Sequence, residues 1–173
     1  MKKSSFLTTS RLLLIPPLST ELNALEGLWQ NHQVRQYLGG PIAEEEIKAK
    51  LSELTNHWCQ YDFGLWAVQT KHKYQIIGLC GLHHSEDGVE LSYIFFPEYW
   101  GQGFAFEAAE AILEYGFSSL KLNEITAITQ VKNLASCHLL EKLGMQAIKN
   151  VRRFNATQRI YKLPITLYYK KIA

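Results

Sequence analysis

The run Leu91-Ser92-Tyr93-Ile94-Phe95-Phe96-Pro97-Glu98-Tyr99-Trp100-Gly101-Gln102-Gly103-Phe104-Ala105-Phe106-Glu107-Ala108 governs the architecture of this chain. Its first six residues are β-branched, aromatic or otherwise strand-compatible, and Pro97 stops them. Two glycines follow in a turn, and then an Ala- and Glu-rich segment with apolar residues at helical spacing, Ala108, Ile112 and Tyr115. The pattern is strand, glycine turn, helix. Such a turn leaves backbone N–H groups without partners at the positive end of a helix. Glycines let a bulky anion approach those groups, so the turn can cradle phosphates.

The glycine spacing excludes two nucleotide-binding readings. No Lys-Ser or Lys-Thr follows, as a P-loop requires, and no third glycine arrives in time for a dinucleotide fingerprint. A phosphate-binding turn of another kind remains.

Trp100-Gly101-Gln102-Gly103-Phe104-Ala105 resembles the acyl-CoA pyrophosphate loop of the GNAT N-acetyltransferases, Gln/Arg-x-x-Gly-x-Gly/Ala. Gly103 and Ala105 match its last two fixed positions, and Trp100 stands where Gln or Arg is usual. With Glu107 and Ala108, the stretch is similar to the form found in the subgroup that acetylates ribosomal-protein N-termini. Two further blocks support the resemblance. Asn133-Leu134-Ala135-Ser136 with Leu139 to Met145 resembles the family's Asn-x-x-Ser/Ala and Lys-x-Gly-Phe segment, and Thr9-Ser10-Arg11-Leu12-Leu13-Leu14 resembles the subgroup's opening strand.

The resemblance implies an α/β (α+β) GNAT fold, with one central mixed, mostly antiparallel sheet and helices on both faces. It implies direct transfer of acetyl from acetyl-CoA to an amine, without a covalent enzyme intermediate. In this family the strand before the loop splays from its neighbour, and the pantetheine arm pairs with its main chain like an added strand. By position, Ile94, Phe95 and Phe96 would supply those groups. Gly101, Gln102, Gly103, Phe104, Ala105 and Phe106 would supply the diphosphate donors. Trp100 either covers the diphosphate or anchors the loop. Asn133 either binds the pantetheine amide or caps its helix.

Many members place a Tyr four residues before the glycine that corresponds to Gly144; here that residue is Leu140. Ser136 is the expected hydrogen-bond donor to the thiolate, with a first-turn helix cap as its other reading. Glu90 is the candidate base, or an exposed strand-end carboxylate. Alternation places Glu90, Ser92 and Ile94 on one strand face and Leu91, Tyr93 and Phe95 on the other. His83 and His84 either relay a proton or sit at the surface. Tyr37, Trp66 and Tyr93 either line the acceptor pocket or pack the core. Cys137 reads as a small core residue.

An α-amino group ionises at a pKa of about 7.7–8.0 and lysine at about 10.4, so an N-terminal acceptor needs little help becoming neutral. The expected acceptor is a protein or peptide N-terminus. The alternatives are a small amine (a polyamine, amino acid derivative or aminoglycoside) and a binding module that holds acetyl-CoA without turnover. Leu140 favours the last; Ser136 and Glu90 oppose it.

Composition agrees with an ordinary globular chain: 173 residues, 47% hydrophobic and 20% charged, which reads as one domain. A net charge of +2 falls well short of a nucleic-acid binder. The N-terminus has no sustained apolar stretch of the signal-peptide kind, and no run approaches a membrane span. Three cysteines without paired spacing imply reduced thiols and no metal site. The cytoplasm is the expected compartment, as a monomer or homodimer, with no nucleic-acid or membrane partner.

Beyond the loop, the pattern predicts a first strand at 11–15, helices at 19–29, 32–37 and 44–58, and strands at 65–69 and 75–82. A hairpin turn at Ser85-Glu86-Asp87-Gly88 leads into the strand 89–96. A helix at 105–120, a strand at 124–130 and a helix at 135–143 ending on Gly144 come next. Two late strands are expected at 145–154 and 163–171.

Overall fold

The computed structural model describes residues 6–17 and 19–172. Eight strands form one sheet: β1 (Leu7–Thr8), β2 (Leu12–Ile15), β3 (Leu65–Thr70), β4 (Ile76–Ser85), β5 (Gly88–Phe95), β6 (Glu124–Gln130), β7 (Gln146–Arg153) and β8 (Ala156–Pro164). Their order is β1-β2-β3-β4-β5-β6-β8-β7. Every neighbouring pair is antiparallel except β5 and β6, which are parallel. This is the mixed, mostly antiparallel sheet that the resemblance implies.

Helices cover both faces. On one, α1 (Ser19–Gln30), α2 (His32–Arg35) and α3 (Glu44–Tyr61) bury Leu25, Leu28, Trp29, Val34, Ile47 and Leu51 against Ala67 and Leu79. Leu22, expected on the same stripe, has its side chain outside the described residues, as do the N-terminal residues Met1 to Ser5. On the other face, α4 (Phe104–Ser118) lays Ala108, Ile112, Leu113 and Phe117 on Trp66, Leu82 and Leu91. There α5 (Leu134–Lys142) adds Cys137 and Leu140. Gly144, at φ +91°, ends α5 in a Schellman motif: its N–H donates to Glu141 O (2.9 Å) and that of Met145 to Leu140 O (3.0 Å).

The C-terminal segment departs from expectation. The last strand is β8, at 156–164, and residues Ile165–Ile172 form a helix, α6. Phe154 and Asn155, both at positive φ, join β7 to β8 in a two-residue turn. Neither is glycine, and Asn155 is the one residue of the pair usual at positive φ, so the hairpin signature is weak. Ile165-Thr166-Leu167-Tyr168-Tyr169 is strand-like by local preference, but pairing with β6 ends at Pro164. Coiling as a helix instead lays Tyr168 on Phe117, with ring centroids 4.7 Å apart. Tertiary packing overrides local preference here. Among the described residues, no helix is long and apolar enough to cross a membrane.

Phe117 is 1% exposed and joins α4, the sheet and α6. Phe117→Ala should destabilise the fold by about 3–5 kcal/mol, read from urea unfolding, and release α6 first in hydrogen exchange.

Candidate active site

The site begins where β5 and β6 part. Register between them consists of one pair, Glu90 with Thr126, although β5 runs on to Phe95. The strands diverge beyond that bridge and leave a notch. The N–H of Phe96 donates to Ile77 O (3.0 Å) and its C=O accepts from Tyr99 N–H (3.0 Å). Ladder alternation then turns the main-chain groups of Ile94 toward β4, and those of Tyr93 and Phe95 into the notch. The expectation for this strand is thereby corrected. Ile94 and Phe96 are committed to their own side of the sheet, and Tyr93 and Phe95 face the opening. The Phe95 carbonyl accepts the Trp100 indole N–H (2.8 Å), which makes Trp100 the anchor of the loop.

At the wide end of the notch a 3-10 turn (Pro97–Tyr99) leads into the glycine loop and α4. Gly101 and Gly103 lie at φ +71° and +80°, where other residues are strained. A side chain at Gly101 would meet no atom within 4 Å, so the bend is open on that side. Among the described residues, the N–H groups of Gly101, Gln102, Gly103, Phe104, Ala105 and Phe106 have no loop acceptor. They form a row of donors at the positive end of α4, which is the geometry a diphosphate requires.

A brace holds this loop from behind. The Glu107 carboxylate accepts from Thr9 Oγ1 (2.6 Å), Arg11 N–H (2.8 Å) and Arg11 Nε (2.6 Å). Arg11 Nη1 donates to the Gln102 carbonyl (3.0 Å), and the guanidinium lies 4.4 Å from the centre of the Phe104 ring. Partial burial pushes the Glu107 carboxyl up, but Thr9 and Arg11 outweigh it and hold it below the ordinary carboxylate value. Thr9, Arg11 and Glu107 belong to separate sequence motifs, and no local pattern shows this joint. Its signal is the co-occurrence of an Arg in the opening strand and a Glu in the first turn of α4.

The far wall of the notch is the start of α5. Asn133 caps it, with Oδ1 accepting the Ser136 N–H (3.2 Å). That leaves the Asn133 Nδ2 hydrogens for another acceptor, so capping and ligand contact are compatible. Ser136 is not the cap; its hydroxyl lies 2.8 Å from the Tyr93 hydroxyl. Leu140 and Cys137 are buried in the core. Trp66 is a core residue as well, edge-on to Trp58 and Tyr115. The Tyr37 carbonyl accepts Gln130 Nε2 (2.9 Å), which ties the segment after α2 to the end of β6.

Glu90 sits at the base of the notch, 9% exposed rather than at an exposed strand end. It pairs across the ladder with His83, whose Nε2 is 4.0 Å from the carboxylate and 2.8 Å from Ser92 Oγ. Burial pushes the Glu90 carboxyl up, and His83 and Ser85 only partly oppose it. His84 turns away, among the rings of Tyr61, Phe63 and His57. His57 donates from Nδ1 to Phe63 O (2.8 Å) and accepts the His84 N–H at Nε2 (3.2 Å), a pattern that fixes a neutral imidazole. Arg153 binds Asp87 at 2.7 Å and Glu86 at 3.8 Å on the adjoining hairpin. Among the described residues, no group of three or more His, Cys, Asp or Glu is placed to hold a metal ion.

A cleft between diverging parallel strands that ends in a row of backbone donors suits an extended ligand carrying phosphates. The family model for the acetyltransferase (GNAT) domain matches residues 11–146, and the chain belongs to the GNAT acetyltransferases, which are acetyl-CoA-dependent N-acetyltransferases. The N-acetyltransferase YoaA of Bacillus subtilis, itself uncharacterised, is 30% identical over 154 residues, 86% of each protein. YkkB of the same organism is 32% identical over 106 residues, 59% of this chain and 62% of YkkB. Spermidine N-acetyltransferase from Vibrio cholerae, solved in complex with CoA and spermine, superimposes with a TM-score of 0.77 at 21% identity, covering 93% of this chain and 99% of that one.

Two outcomes test this geometry. Arg11→Ala should raise KM for acetyl-CoA about three- to tenfold with kcat nearly unchanged, because it loosens the loop and leaves the reacting atoms alone. The raised pKa of Glu90 means the folded state resists its ionisation. Its cost to stability is absent at low pH and grows as pH rises from the unfolded carboxyl value of about 4.3 to the higher folded one. Glu90→Gln should therefore raise the Tm at neutral pH and leave it unchanged in acid. It should also lower kcat/KM and leave an acid limb set by ionisation of the amine alone.

Proposed function

We propose that the protein acetylates the N-terminal α-amino group of a protein or peptide, by direct attack of the amine on the acetyl-CoA thioester. In this reading the N–H row of 101–106 binds the diphosphate. The main chain of Tyr93 and Phe95, with the Asn133 side-chain amide, orients the pantetheine. Ser136 donates a hydrogen bond to the departing sulfur, and Glu90, with His83 beside it, takes the proton from the amine through water.

The pairing of the hairpin carboxylates carries the choice of acceptor. Asp87 and Glu86 both turn to Arg153, and that contact holds the Asp87 carboxyl below its ordinary value. This leaves Glu90 as the carboxyl facing the acceptor side, with a histidine and a serine for neighbours. One carboxyl suits one cationic centre, whereas a polyamine carries several. An α-amine also loses its proton far more readily than a primary alkylamine, so a modest base suffices. Three unpaired cysteines, Cys59, Cys80 and Cys137, suit the reducing cytoplasm as its site of action.

Thiol release near neutral pH, measured on a peptide with a free N-terminus, its N-blocked lysine-containing counterpart and spermidine, tests the assignment. The free α-amine should win in kcat/KM by about tenfold or more, as its larger neutral fraction demands. Preference for spermidine, the amine class bound in the Vibrio cholerae structure, would make the protein a small-amine acetyltransferase. Acetyl-CoA binding without thiol release from any amine would make it a binding module.

A further inference from the structure

We propose that Tyr93 is a positioning residue for the transfer step: its phenol reaches across the mouth of the notch and holds the Ser136 hydroxyl so that the serine hydrogen points at the leaving sulfur. This rests on the role given to Ser136 above and adds the group that makes a serine competent for it.

Tyr93 lies on β5 and Ser136 in the first turn of α5, so the two hydroxyls come from opposite walls of the notch. They are 2.8 Å apart, and the phenol is also 3.4 Å from the Ser136 carbonyl. Both oxygens within reach of the phenolic hydrogen therefore belong to Ser136. The Ser136 N–H is already taken by Asn133 Oδ1, which fixes the turn that carries the serine. When Tyr93 donates to Ser136 Oγ, the serine keeps its own hydrogen for a third partner. That partner lies in the notch, where the Tyr93 main chain also faces.

Burial pushes the Tyr93 phenol well above its ordinary pKa, so it stays a donor throughout the working pH range. A free serine hydroxyl would rotate among several acceptors; a serine with one lone pair filled has fewer orientations to lose in the transition state. The position on α5 where a tyrosine would itself enter the notch holds Leu140, which is 1% exposed and belongs to the core. The phenol is supplied from β5 instead, with the serine between it and the sulfur.

The chemistry balances without consuming either hydroxyl. The amine nitrogen bonds to the acetyl carbon, the C–S bond breaks, and its electron pair departs on sulfur. The extra proton on nitrogen leaves through Glu90 and water. The thiolate, held meanwhile by the Ser136 hydrogen bond, takes a proton from solvent, giving amide and free thiol.

The test is a double-mutant cycle of Tyr93→Phe, Ser136→Ala and both, with KM for acetyl-CoA, kcat and Tm measured on each. Each single change should lower kcat about ten- to hundredfold with KM within about twofold, and the double variant should be no slower than Ser136→Ala. Ser136→Thr, which keeps a hydroxyl, should recover most of the rate only while Tyr93 is present. Full activity in Ser136→Ala removes the role of Ser136 and this proposal with it. A slow Ser136→Ala beside a fully active Tyr93→Phe overturns this proposal alone. Losses that multiply, or a Tyr93→Phe defect confined to Tm or KM, show a structural strap and overturn it as well. If Tyr93→Phe fails to fold, an equally active Ser136→Thr in a Tyr93→Met background overturns it, and loss of that rescue supports it.

Discussion

The parting of β5 from β6 is the constraint from which the site follows. A parallel pair that continued to Phe95 would satisfy its main-chain groups and leave no room for a ligand. With register limited to Glu90 and Thr126, the ladder gives up hydrogen bonds inside a largely apolar region, and unpaired backbone polar groups are costly there. The sheet tolerates this because other contacts keep the two strands apart. Seven register pairs hold β6 to β8, while β5 is bonded along its length to β4. The Trp100 indole takes up the Phe95 carbonyl at the open end. An extended ligand with amides can restore the missing bonds, so affinity comes from pairing the fold has left undone.

The same divergence explains why Glu90 is strained. It occupies the one residue pair between the two strands, buried where they begin to separate. Burial disfavours its charge, and the ordinary remedy, an arginine partner, is directed elsewhere: Arg153 is engaged by Asp87 and Glu86. A carboxyl kept short of compensation is a poorer contributor to stability and a better proton acceptor near neutral pH. The loop shows the opposite allocation. Glu107 is compensated by Thr9 and Arg11, because its work is to hold a shape.

How much of this was legible in the chain depended on how far apart the interacting residues lie. The glycine loop, the α4 stripe, the Ser85 hairpin and the end of α5 at Gly144 are local patterns, and the structure places them as read. The grouping of Glu90, Ser92 and Ile94 on one face followed from strand alternation alone. Residue polarity gave no indication of which β5 main-chain groups face the notch, because that depends on the phase of the β4 ladder; Phe96 pairing with Ile77 sets it. The α6 helix was hidden because its residues prefer strands locally, while the contacts that favour the coil, such as Tyr168 on Phe117 and Lys171 on the Lys142 carbonyl, lie far off in sequence. Arg11 and Glu107 were visible separately, but the joint between them spans 96 residues.

The pairing of Tyr93 with Ser136 belongs to this last class and bears on how one fold serves the same chemistry with different residues. A hydroxyl near sulfur must be oriented, and orientation requires either a rigid side chain or a second contact. A tyrosine on α5 would use rigidity. Here α5 devotes that position to the core through Leu140, so the proposed donor is a short serine, and a short side chain with a free rotor needs a neighbour to fix it. The strand wall supplies that neighbour without disturbing the helix, because residues of one parity on β5 face α4 and α5 while those of the other face α1 and α3. In the proposed mechanism, chemistry at the sulfur and at the amine is thus divided between odd and even positions of a single strand. Tyr93 would serve the sulfur and Glu90 the amine, three residues apart and on opposite faces.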